Sequence, residues 1–406
     1  MNYKEKFAEV IVEFGLNLQK DQILYIKTPV EAYPLAREVA KVAYVKGAKK
    51  VIISYSDSYV NKAYYMHAST STLEEVEDYI VEEYKYLVEN NACMLSIASP
   101  IPNVMDGVDA SKIKISSIAS LKKVGFFREY TMANKCQWCV VAWPNEEWAK
   151  QVFGDIPDAY DKLFDAIMKA SRISESGNPL DEWKKHTNEL EKHKDILNKY
   201  RFKTLKFKNT LGTDLSIDLV EDHIWGGGCE ISQRGIKFSP NMPTEEVFTM
   251  PHSHGVNGRV VATKPLNYQG KLIEDFYLDF KDGAVVSYGA LKEEATLKAL
   301  LETDEGSIRL GEVALISYDS PISNMNILFY NTLFDENASC HLALGNAYTM
   351  NIKDGYTLSK NELKQKGYNS SMIHVDFMFG SKDMSVIGVL DNNKEVTIFK
   401  KGNFVI

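Results

Sequence analysis

Residues 22–55 read QILYIKTPVEAYPLAREVAKVAYVKGAKKVIISY. A short β-rich run, Gln22–Lys27, is followed by an amphipathic helical stretch, Val30–Tyr44, and then by a second β-rich run, Lys50–Tyr55. A strand, a helix and another strand in that order place the two strands parallel, because the helix carries the chain back across the sheet. The pattern continues outward. Lys4–Leu18 is an amphipathic helix before it. Leu73–Val88 is an acidic helix leading into a third strand, Ala92–Ile97, and Gln137–Ala142 is a fourth strand closed by Pro144. The first half therefore reads as a Rossmann-like parallel sheet covered by helices.

That shape carries no cofactor. The turn after the first strand is Thr28-Pro29-Val30-Glu31, without the glycine-rich loop that cradles phosphates. Gly226-Gly227-Gly228 reads as a turn or bulge. Cys136-Gln137-Trp138-Cys139 has redox spacing, but it runs into a buried strand rather than a helix N-terminus, so it reads as two packed thiols.

From residue 171 the composition changes. Ser174–Asn178 is turn-rich. Asn178 is a helix cap with Pro179 in the first turn, and the helix to Tyr200 is nearly all charge. Beyond it the period becomes two. Thr204–Lys208 and Leu215–Leu219 form a hairpin, and strands follow at Phe276–Phe280, Ala284–Tyr288, Glu312–Ser317, Met372–Met378 and Met384–Leu390. The expected organisation is an α/β scaffold domain over 1–175, a helical connector over 176–201 and a mainly antiparallel α+β domain over 202–406.

The chain has 406 residues, a formal net charge of −8 and no basic stripe, which excludes a nucleic-acid surface. No apolar run approaches the roughly 18 residues of a membrane span. The N-terminus lacks a signal-peptide core, and five cysteines suit a reducing compartment, so the expected location is the cytoplasm.

Chemistry concentrates in the second half. In Ser371-Met372-Ile373-His374-Val375-Asp376-Phe377, His374 and Asp376 share one strand face, while Ile373, Val375 and Phe377 take the other. A His and an Asp bracketed by apolar residues either pair with each other or hold a cation. His341 lies in Ser339-Cys340-His341-Leu342-Ala343-Leu344-Gly345-Asn346-Ala347-Tyr348, and on a helix His341, Gly345 and Tyr348 would share a face. Glu312 and Glu246 are carboxylates in otherwise apolar runs. His67, His186 and His193 read as solvated. His252 and His254 read as loop histidines, with a place beside the substrate as the alternative.

Four segments, NMPTEEVFT (241–249), LGEVAL (310–315), SCHLALGNAY (339–348) and IHVDFM (373–378), resemble the metal motifs of the bacterial metallo-aminopeptidase family of aminopeptidase T, AmpS and PepS. The similarity runs over essentially the whole chain, with Met250 a small departure that touches no ligand position. The resemblance implies five metal ligands, Glu246, Glu312, His341, His374 and Asp376, with Tyr348 beside them and Glu312 and Tyr348 as catalytic groups. It also implies a catalytic C-terminal domain and a homodimer acting on peptides with a free N-terminus. Three carboxylates and a hydroxide balance two divalent ions, with zinc first and cobalt or manganese as alternatives. The acid that receives the substrate amine is open, with Glu245 as a candidate. The alternative readings are a two-metal amidase or dipeptidase on another small substrate and a non-catalytic dimeric binding protein.

Overall fold

The computed structural model describes residues 2–406. The chain folds as two units. The first comprises residues up to Lys185 together with Cys229–Pro243, and the second comprises His186–Gly228 with Thr244–Ile406.

In the first unit four parallel strands, β1 (Ile23–Pro29), β2 (Lys50–Ser56), β3 (Cys93–Ala98) and β4 (Trp138–Ala142), form a sheet in the order β2-β1-β3-β4. All four lie where the hydrophobic runs place them. Ile23, Leu24, Tyr25 and Ile26 are consecutive and all buried, as expected of a parallel strand buried on both faces. The helix Tyr33–Val45 buries Leu35, Ala36, Val39 and Ala43, at the spacing of one helical stripe. The returning segment runs along the free edge of β4, where the Val140 N–H donates to Pro240 O at 2.8 Å and the Met242 N–H to Val140 O at 3.0 Å.

The chain leaves this unit within the helix Pro179–Tyr200, whose start is fixed as expected by Asn178, its Oδ1 accepting from the Leu180 N–H at 3.1 Å. The second unit holds an eight-stranded antiparallel sheet and a five-stranded one. The larger contains the expected hairpin, Thr204–Lys208 with Asp214–Leu219, and the strands Tyr277–Lys281, Ala284–Gly289 and Ser385–Val389. It also contains an eleven-residue strand, Pro251–Val261, so that His252 and His254 lie in a strand and not in the expected loop.

The five-stranded sheet runs His374–Met378, His341–Gly345, Leu310–Leu315, Val247–Thr249 and Gly226–Gly227, every adjacent pair antiparallel. Its apolar face, with Val247, Val313, Leu315, Leu342, Leu344 and Phe377, joins the core of the unit. Burying side chains of this size contributes about 1.5–3 kcal/mol each. That is enough for one face to hold the sheet in place while the other carries charge.

Candidate metal centre

The other face of this sheet is polar, and strand register explains why. Glu312 stands opposite Ala343, and Ala343 stands opposite Asp376. One step along, His374 faces Gly345, and His341 lies between Ala314 and Met378. Side chains opposed across a ladder point to the same side, so Glu312, His341, His374 and Asp376 converge above Ala343. The small residue leaves them room. His341 was expected on a helix; it begins a strand, and Gly345 and Tyr348 follow it along an extended chain. Gly345 has a φ of +107°, and a Cβ there would meet the Ile373 carbonyl, which glycine avoids.

Glu246 arrives from the turn before Val247–Thr249. Gly227, with a φ of +126°, allows the Glu246 backbone to pass directly against it, since the Glu246 carbonyl occupies the place of a Cβ. Gly226 and Gly227 thus form a two-residue edge strand that supports a site residue, and Gly228 follows it as a bend.

The resulting distances are short. His341 Nε2 is 3.3 Å from Glu246 Oε2 and 3.2 Å from Glu312 Oε1. His374 Nε2 is 3.4 Å from Asp376 Oδ1 and 3.8 Å from Glu312 Oε2. Two groups of potential ligand atoms emerge, Glu246–Glu312–His341 and Glu312–His374–Asp376, with Glu312 common to both. The five residues singled out in the sequence are therefore brought together.

A sixth group was missed. Glu336, on the 3₁₀ turn Glu336–Ala338, is a carboxyl facing the same cluster. The available signal was the acidic pair Asp335-Glu336 set between Leu333-Phe334 and Asn337-Ala338, shortly before His341. Without periodicity, the run did not mark Glu336 out.

Protonation reflects crowding. Burial, then repulsion from Asp376 and Glu246, pushes the Glu336 carboxyl well above the usual range. Burial also raises Glu312, against the pull of its hydrogen bond with His341. Burial opposes charge on the imidazoles, yet Glu246 and Glu312 hold His341 well above its ordinary value, and Asp376 holds His374 up at about 9. Burial pushes the Asp376 carboxyl up, but His374, His341 and a backbone hydrogen bond together hold it below its ordinary value.

The donor set fits divalent cations. Asp376 Oδ1 is buried with no hydrogen-bond partner among the described residues. His374 Nδ1 lies 2.7 Å from the Asn346 carbonyl, which only accepts, so Nδ1 keeps its proton and Nε2, facing Glu312 and Asp376, is the nitrogen that would give up its proton to hold a cation. Four carboxylates facing one another, Glu246 and Glu312 buried and Asp376 and Glu336 partly buried, are costly without positive charge between them. Carboxylate oxygen and imidazole nitrogen suit zinc, cobalt and manganese alike.

Tyr348 follows the His341 strand, its ring centroid 4.6 Å from that of His374. Burial, then the nearby carboxylates, push its phenol up, so it keeps its proton. A cavity of about 60 Å³ opens beside Glu336 and Asp376, walled by Pro265, Leu266, Tyr330 and Met378. Asp335 forms part of it; burial pushes its carboxyl up to about 6 while it accepts the Phe329 and Asn331 N–H groups at 2.7 and 2.9 Å.

The other histidines separate cleanly. His67 is exposed as expected. His193 is half-buried and stacked on Phe404 at 4.0 Å, and His186 is mostly buried, so neither is the solvated residue expected. His252 and His254 line a larger cavity of about 1100 Å³ with His223, and none of the six clustered residues lines it.

A family model described as thermophilic metalloprotease (M29) matches residues 2–404. The chain belongs to the M29 metalloprotease family. It is 44% identical over 402 residues to aminopeptidase 2 of Geobacillus stearothermophilus, covering 98% of this chain and 97% of that protein. It is 42% identical to aminopeptidase AmpS of Bacillus subtilis, covering 98% and 97%. Among solved structures, wild-type AmpT from Thermus thermophilus matches with a TM-score of 0.91 at 34% identity, over 100% of this chain and 99% of that one. A 2,5-dihydroxypyridine dioxygenase from Pseudomonas putida shares the fold alone, with a TM-score of 0.52 at 10% identity over 99% and 96% of the two chains.

Proposed function

We propose that this metal-dependent aminopeptidase of the M29 family works through two divalent ions held by Glu246, Glu312, His341, His374 and Asp376. The carrying observation is that two ligand groups share one carboxylate, Glu312. Glu246 and His341 would complete one position, and His374 and Asp376 the other. Paired ions of this kind supply the Lewis acidity that activates water and polarises a carbonyl.

The remaining steps fall to residues outside the ligand set. Glu336 is the proton carrier: its carboxyl faces the ligands and lines the cavity, and with cations bound to draw it back down to the carboxylate it would take a proton from the attacking water and pass it to the leaving amine. The Tyr348 phenol, still protonated, donates to the oxygen on which negative charge develops. The Glu245 carboxylate lies 3.7 Å from His186 Nε2, in a pair with little exposure, which argues against its receiving the substrate amine.

The substrates are peptides with a free N-terminus. Zinc is the proposed metal, residues 1–175 a scaffold, 176–201 a connector and 202–406 the catalytic domain of a cytoplasmic homodimer. Among the described residues no helix is long and apolar enough to cross a membrane, and all five cysteines are buried thiols, as a reducing compartment favours. The deciding experiment is hydrolysis of an aminoacyl chromogenic panel beside N-acetylated controls, with and without added zinc or cobalt. Cleavage of acetylated substrates at equal rates would overturn the exopeptidase reading, and sedimentation of fully active enzyme as a monomer would overturn the dimer.

A further inference from the structure

We propose that His186 is a positioning residue for the metal centre, fixing the Thr244–Glu246 turn from the connector helix and so setting where the Glu246 carboxylate stands. The inference rests on the metal reading above. Four of the five ligands lie within strands, each held in register by the ladder to at least one neighbouring strand. Glu246 does not. Its strand pairing begins only at Val247, and the turn before it must be held by other means.

Two side chains do this. His186 Nε2 lies 2.7 Å from the Thr244 carbonyl, and because a carbonyl only accepts, the imidazole donates from Nε2. The Glu245 N–H donates to Asn337 Oδ1 at 2.7 Å, and Asn337 Nδ2 donates in turn to the Leu333 carbonyl at 3.1 Å. Both residues before Glu246 are therefore clamped through their backbones by side chains from elsewhere in the fold. The Glu245 carboxylate, 3.7 Å from the same Nε2, lends the imidazole a second partner in a nearly closed environment, with 11% and 5% of the two side chains exposed.

The arrangement has a chemical consequence. Asn337 follows Glu336, the proposed proton carrier, so one network orients the turn carrying Glu246 and the turn carrying Glu336. Groups that orient metal ligands typically contribute 10–100-fold to affinity when removed. His186 touches neither substrate nor ion; it acts through Glu246.

The test measures zinc affinity directly, by competition between the metal-free protein and a chromophoric chelator, in wild type and in His186→Ala, His186→Gln, His186→Asn and Glu246→Ala. The expected result is a 10–100-fold weakening of one of two zinc sites in His186→Ala. Most of the affinity should return in His186→Gln, whose amide reaches the Nε2 position. His186→Asn places its amide at the Nδ1 position, too short to reach Thr244, and should behave like the alanine variant. Wild-type affinity in His186→Asn overturns the proposal even where the alanine variant fails to fold. So does a lowered melting temperature of the metal-free variants with zinc affinity unchanged. Glu246→Ala separates the two levels: retention of both zinc ions there overturns the ligand assignment itself, whereas loss there with retention in the His186 variants overturns only the positioning role.

Discussion

The parallel sheet of the first unit and the five-stranded sheet of the second are built from similar apolar runs, yet they are used differently. In β1 four consecutive residues, Ile23 to Ile26, are buried, and the strand is apolar on both faces. In Leu310–Leu315 six consecutive residues are also buried, but one of them is Glu312. The same local propensity makes both strands. What differs is that the second sheet uses one face for packing and gives the other to carboxylates and imidazoles, each spaced by two. A buried sheet in which charged residues recur on one face is a site, and one without them is a scaffold.

The sharpest break of this comparison is chelation. Exhaustive removal of divalent ions is expected to abolish peptidase activity, with zinc or cobalt restoring it, while the first unit keeps its fold. Full activity in protein shown by elemental analysis to be metal-free would show that no metal centre carries the reaction. Next in size is loss of single ligands. His374→Ala and Asp376→Ala are each expected to lower bound metal per chain together with activity, since each leaves an under-coordinated position. Normal metal content in either variant would detach that residue from the centre.

Removing groups outside the ligand set should separate chemistry from metal binding. Glu336→Gln keeps the shape and removes the titrating proton, so kcat should fall on the order of 10²–10⁴ with metal retained. Tyr348→Phe should lower kcat on the order of 10²–10³, also with metal retained. A Tyr348→Phe enzyme within twofold of wild type makes Tyr348 only a packed aromatic, and metal loss there makes it a ligand or its close support.

The metal-free protein should also respond to pH in a way the loaded one does not. His374 is held up at about 9 in the fold against an ordinary 6.5, so its stabilising contribution is complete below about 6.5 and is lost as pH rises through about 9. The raised Glu312 and Glu336 carboxyls act in the same direction, favouring the fold while protonated and losing that contribution as pH rises through their folded values. Melting temperatures of chelated protein should therefore fall between pH 6.5 and 9 more steeply than those of zinc-loaded protein. Parallel curves would show that these groups are not coupled to the fold as the geometry implies.

How far the site could be read in advance follows from the same contrast. All four strands of the first unit were legible because each is a short, dense apolar run between turn signals. His374 and Asp376 were legible because alternation on a strand leaves only one arrangement. His341 was misread because Ala343 and Gly345, which make room for the ligands, also remove the β-branched signature of a strand and leave a run that fits a helix equally well. Glu336 carried no pattern, since a single 3₁₀ turn has none. His186 looked solvated because its helix is nearly all charge, and only the fold shows its imidazole turned to Thr244.

The smallest expected effect tests the scaffold side of the comparison. Cys136 and Cys139 are spaced like a redox pair, but each is only 1% exposed, and burial pushes the Cys136 thiol up to about 12 and raises Cys139 as well. A reactive thiol needs its thiolate stabilised by positive charge or a helix N-terminus, and desolvation does the reverse. Cys139 instead packs where Gly15 lacks a side chain, with the Met242 sulfur beside the same glycine. Replacing both cysteines by serine loses sulfur contacts and buries two hydroxyls, which costs about 1–3 kcal/mol per unsatisfied group. The double variant should therefore melt at a lower temperature and retain wild-type kcat and KM when assayed below that transition, with no response to added reductant. Loss of kcat in the folded double variant, or a reductant requirement that the wild type has and the variant lacks, would show that the parallel sheet contributes chemistry and not only support.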